Sequence, residues 1–133
     1  NWCRSYFLAI TPENKIRFSL NTQSEWKDSC TYNEFDPENA VVFETGNWYH
    51  IVAIYDYDIY KNETNLSVYI NGKLLDSVTD DKIKGNVEGD KGVTIGESGD
   101  GIYNYFGLID ELRLYRRALT KEDIEELYSL RFR

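Results

Sequence analysis

Short runs of alternating apolar and polar residues follow one another through most of this chain, each closed by a polar or glycine-bearing cluster. That spacing points to an all-β sandwich or barrel. The sharpest instance is Ser67-Val68-Tyr69-Ile70-Asn71-Gly72-Lys73-Leu74-Leu75, where Asn-Gly sits between two strand-forming runs. Asparagine and glycine both tolerate positive φ, so a two-residue type I′ hairpin is expected there. Strands are predicted over residues 5–10, 15–20, 30–32, 40–44, 49–57, 66–70, 73–78, 92–95 and 106–115. Helical periodicity emerges only after Thr120, a good N-cap with Asp123 three residues on, followed by Ile124, Leu127 and Tyr128 on one face. In 49–56 apolar residues fall on both faces, which suits a strand covered on both sides.

The closing run, Phe106-Gly107-Leu108-Ile109-Asp110-Glu111-Leu112-Arg113-Leu114-Tyr115, carries one anomaly. Read with period two, Phe106, Leu108, Leu112 and Leu114 share a face, and Asp110 interrupts their row. A carboxylate turned into a core needs a hydrogen bond, a counter-ion or a metal. Gly107 allows a bulge that would turn it away instead. Backbone amides, an arginine and a calcium ion all remain open as its partner.

The chain has 133 residues, 41% of them hydrophobic, enough for one domain over 1–133 with a sizeable core. Fifteen basic and 23 acidic residues give a formal charge of -8, the wrong sign for holding phosphates, so nucleic acid is excluded as a partner. No apolar run reaches the roughly 20 residues of a membrane-spanning helix. Cys3 and Cys30 lack the spacing of a metal knuckle or redox pair, and a disulfide between them and two free thiols stay equally open. Asn62-Glu63-Thr64 and Asn65-Leu66-Ser67 are sequons that fit an extracellular or cell-surface chain. The lone histidine, His50, has no neighbouring nucleophile and is read as structural. Trp48 is assigned to the core beside it.

Two phrases resemble a known family. Trp48-Tyr49-His50-Ile51-Val52-Ala53, followed by Tyr69-Ile70-Asn71-Gly72, is similar to a phrase of laminin G-like domains in the concanavalin A-like lectin/glucanase superfamily. Phe106 to Leu119 resembles that family's closing strand and the turn into its helix. The resemblance covers residues 48–128. It implies a two-sheet antiparallel jelly-roll sandwich with one short C-terminal helix, and first strands missing ahead of residue 1. It also implies a noncatalytic module that binds a glycan or an extracellular protein. A structural calcium at Asp110 belongs to the same expectation. Glycosidases of this fold place their carboxylates in an E-x-D-x-x-E strand motif, which this chain lacks. Adjacent Asp110 and Glu111 point to opposite faces of a strand and cannot share one glycosidic bond.

For ligand contact the residues to watch are aromatics outside regular alternation: Trp26, Tyr57, Tyr103 and Tyr105. A sugar ring stacks its C–H face on such rings. An alternative class is an assembly domain whose sheet edge is completed by another segment or subunit, since an unpaired edge invites strand addition.

Overall fold

A computed structural model describes residues 6–21, 32–35, 43–80, 85, 87, 92–97 and 104–130. Two three-stranded antiparallel sheets form the body. The first is ordered β1 (Tyr6–Ile10), β2 (Ile16–Asn21), β3 (Tyr32–Phe35), and the second β4 (Ile51–Asp58), β5 (Glu63–Ile70), β6 (Lys73–Asp80). Helix α1 (Lys121–Leu130) follows.

Each sheet is a meander whose middle strand supplies the core. From β2 come Ile16, Phe18 and Leu20, from β5 Leu66, Val68 and Ile70, and these join in one buried cluster with Phe43. The alternation explains the choice: every second residue of each middle strand is apolar, so both sheets turn an apolar face inward. Phe43 reaches this core from a non-strand segment, its N–H donating to the Asn14 carbonyl at 2.9 Å. Its ring meets Tyr49 edge-on, with centroids 4.8 Å apart. Tyr55 donates to the Gly85 carbonyl at 2.5 Å, and burial, the largest influence on its hydroxyl, raises the pKa.

The expected hairpin is present. Ile70 pairs with Lys73, leaving Asn71 (φ 51°) and Gly72 (φ 78°) as a two-residue turn. Glycine is required at 72 for a second reason: a Cβ there would stand 3.0 Å from the Tyr128 ring of α1. One residue further along β6, the register shifts and Leu75 becomes the extra residue of a bulge, packed against the core.

Helix α1 begins as the sequence predicts. Asp123 N–H donates to Thr120 Oγ1 at 3.2 Å, and Thr120 N–H donates to Asp123 Oδ2 at 2.8 Å, a reciprocal capping box. Ile124 is fully buried, and the Tyr128 ring lies 5.9 Å from that of His50. His50 in turn donates its backbone N–H to Asn71 Oδ1 at 2.9 Å, which ties helix, turn and β4 together. The structural role expected for His50 fits this place.

Other expectations need correction. Residues 43–44 and 92–95 lie outside any strand, as does the whole closing run 106–115. That run is exposed throughout: Phe106 is 95% exposed, Leu108 75% and Leu114 66%. Asp110 is exposed with the rest, so no carboxylate is forced into the core and no bulge is needed to remove it. The backbone instead breaks the alternation at Glu111, which takes a left-handed φ of 52° while its N–H donates to Asp110 Oδ1 at 2.8 Å. Gly107 serves a close approach, since a Cβ there would fall 2.7 Å from the Tyr105 ring. Trp48, assigned to the core, is 53% exposed.

Candidate functional site

The outer face of the second sheet carries a groove of about 260 Å³. Register dictates its lining. Ile54 pairs with Ser67, Asp56 with Asn65, Ser67 with Ser77 and Tyr69 with Leu74, so these side chains share the face opposite the core. Ile54 and Ser67 are buried at its base, Tyr69 is half-buried, and Asp56, Asn65 and Ser77 are exposed. Ala118 and Leu119, on the approach to α1, complete the lining.

That approach is fixed by charge. Arg117 Nη1 bonds Asp123 Oδ2 at 2.6 Å and Arg117 Nη2 bonds Asp123 Oδ1 at 3.1 Å, a bidentate pair beside the capping box. The Arg117 guanidinium, and after it the Thr120 backbone N–H, hold the Asp123 carboxyl far below the usual carboxylate range. Residues 118 and 119 are therefore pinned at both ends of a four-residue span and set against the sheet.

The groove is smaller than the roughly 300–1,000 Å³ of drug-sized sites. It suits one small ring. Its chemistry is mixed: an aromatic ring, a carboxylate, an amide and two hydroxyls above an aliphatic base. A polyhydroxylated ring meets such a surface well, because its hydroxyls donate to a carboxylate or amide oxygen and accept from an amide N–H₂.

The aromatics singled out from the sequence lie elsewhere. Tyr57 pairs with Thr64 on the core-facing side of β4 and donates its hydroxyl to Asn62 Oδ1 at 3.1 Å. Tyr105 folds over Gly107, away from the groove lining. Trp26 and Tyr103 fall outside the described residues, as do Cys3 and Cys30. For Asp110, no group of three or more histidine, cysteine, aspartate or glutamate side chains converges among the described residues. Calcium requires six to eight oxygens. The calcium expected at Asp110 draws on main-chain carbonyls as well as this carboxylate, so it stands as an expectation. Sequence reasoning missed Asp56, Asn65, Ser67 and Tyr69, although their positions were accessible: the polar set of β5 alternates with its core set. What the pattern could not give was that Ala118 and Leu119 return to that face.

An antiparallel two-sheet sandwich with a polar-aromatic groove defines the class of the molecule. The chain belongs to the concanavalin A-like lectin/glucanases superfamily, whose sequence profile matches residues 1–125. The match takes in the residues before Trp48 as well as the two phrases. No curated protein matches the chain. Among solved structures it is similar to a fragment (residues 221–444) of an S-layer domain-containing protein from Clostridium thermocellum, at 25% identity and a TM-score of 0.49. The alignment covers 86% of this chain and 51% of that one, so this chain spans about half of the fragment.

Proposed function

We propose that this chain is a noncatalytic, extracellular or cell-surface recognition module that binds carbohydrate in the groove on the outer face of the second sheet. The observation that carries the reading is the lining, with Tyr69 beside Asp56, Asn65, Ser67 and Ser77. In this reading the Tyr69 ring receives the C–H face of a sugar, Asp56 and Asn65 take its hydroxyl protons, and Leu119 closes the apolar flank. Superfamily membership supports a lectin-like role and the jelly-roll connectivity of the family. The sequon at Asn62, in the exposed turn before β5, fits an extracellular setting. No helix among the described residues is long and apolar enough to cross a membrane.

The lining is one support for the noncatalytic reading. Asp56 is the single carboxylate there among the described residues, whereas glycoside hydrolysis calls for two flanking the scissile bond.

Calorimetric titration with oligosaccharides from a broad glycan panel tests the proposal. Binding should be weak, with Kd about 1 mM for a single ring, and should fall at least tenfold in Asp56→Ala and Asn65→Ala, whose side chains are exposed and whose folding is checked by circular dichroism. Silence across the panel, or affinity unchanged in both variants, would sink it. Glycan cleavage that Asp56→Asn abolishes would replace it with a hydrolase.

A further inference from the structure

Outside the sheets and the groove, the largest unexplained feature is the extended run 105–115. Seven large apolar side chains stand exposed in it: Tyr105, Phe106, Leu108, Ile109, Leu112, Leu114 and Tyr115. On ordinary side-chain areas they present roughly 800 Å², about what each partner contributes to a standard-size interface. Beyond the bond from Tyr105 N–H to the Gly96 carbonyl, the backbone of this run has no partner on another segment among the described residues. An apolar ribbon with open N–H and C=O groups is a template for strand pairing.

Its charges specify the partner. Antiparallel pairing of two identical ribbons about a two-fold axis sets one residue opposite its own copy. Centring on Asp110, Glu111 or Arg113 brings identical charges face to face, which is destabilising. Centring on Leu112 sets leucine against leucine, places Glu111 opposite the partner's Arg113 in both directions, and puts Ile109 opposite the partner's Tyr115. In the isolated chain the same two side chains bond each other, Arg113 Nη2 to Glu111 Oε2 at 2.6 Å, both largely exposed. Pairing converts that local contact into two contacts between chains and lets Glu111 leave its left-handed φ for an extended one.

We infer that the 105–115 ribbon pairs antiparallel with the same ribbon of a second copy, in a register centred on Leu112 and selected by Glu111 and Arg113. A two-stranded ribbon is marginal by itself and edge-to-edge pairing covers only part of the apolar area, so the association is weak and reversible.

Sedimentation velocity on the full chain tests this. Wild type shifts from monomer to dimer as concentration rises through roughly 10–500 µM. Arg113→Glu and Glu111→Arg each stay monomeric, because each now opposes like charges; an equimolar mixture of the two dimerises, and so does the double charge swap. Hydrogen exchange supplies an independent reading, with alternate amides between 109 and 115 slowing at high concentration in wild type and in neither single variant alone. A wild-type chain that stays monomeric throughout, or a single variant that dimerises as wild type does, overturns the inference.

Discussion

Strand β5 and the 105–115 ribbon are written in nearly the same code, yet they end in opposite environments. Both set apolar residues at alternate positions, Leu66, Val68 and Ile70 in β5 and Phe106, Leu108, Leu112 and Leu114 in the ribbon, where Asp110 breaks the row. In β5 those residues are buried, with Leu66 at 1% and Val68 at 0% exposure, while Leu108 and Leu114 in the ribbon are 75% and 66% exposed. The difference lies in the neighbours. β5 has a strand on each side and a second sheet across its apolar face, whereas the ribbon has neither among the described residues. Alternation therefore prescribes which side chains share a face, and only tertiary partners determine whether that face is covered.

The contrast can be broken most decisively by truncation at matched positions. Leu66→Ala should cost about 2–5 kcal/mol in chemical denaturation, the usual range for a buried leucine, while Leu112→Ala in dilute monomer should stay within about 0.5 kcal/mol. Comparable losses would mean that the ribbon is packed in solution. A smaller effect is expected at the turn. Gly72→Ala should cost roughly 2 kcal/mol, from the strained positive φ and from crowding against Tyr128. Adding Tyr128→Ala should return part of that loss, because one of its two causes is removed.

Next comes the helix cap. Thr120→Ala removes the acceptor for Asp123 N–H and should lower stability by about 1 kcal/mol. The linked pH dependence has a defined sign: Asp123 has a depressed folded pKa, so its contribution is complete above the unfolded carboxylate value of about 3.9 and is lost as pH falls below it. Circular dichroism should show helix signal lost on acidification, and Asp123→Asn should remove that dependence. The smallest effect is expected from metal. If Asp110 holds a structural calcium, calcium added after chelation raises the melting temperature and Asp110→Ala removes the increment, whereas no shift would count against a calcium site in the ribbon.

How far the sequence reaches follows the same line. The Asn71-Gly72 turn and the Thr120-Asp123 cap are local devices, set by residues two or three positions apart, and both were legible to the residue. The inner and outer faces of β5 were legible as alternation, whereas β4, apolar on both faces, offered no such division. The groove was not, because it depends on Ala118 and Leu119 meeting residues some 50 positions earlier. Asp110 misled for a related reason: its place in an apolar row implied burial only on the assumption that the row itself was buried.

The Tyr128 ring against Gly72 carries a consequence for the order in which the molecule is made. Hairpins close within about 1–10 µs and domains are synthesised N-terminal end first, so both sheets can form on the ribosome before α1 has emerged. Until α1 docks on the turn, Ala118 and Leu119 have nothing to set them against the sheet. The groove is therefore completed only when α1 docks, and a chain ending at residue 115 would present the second sheet without Ala118 and Leu119 against it.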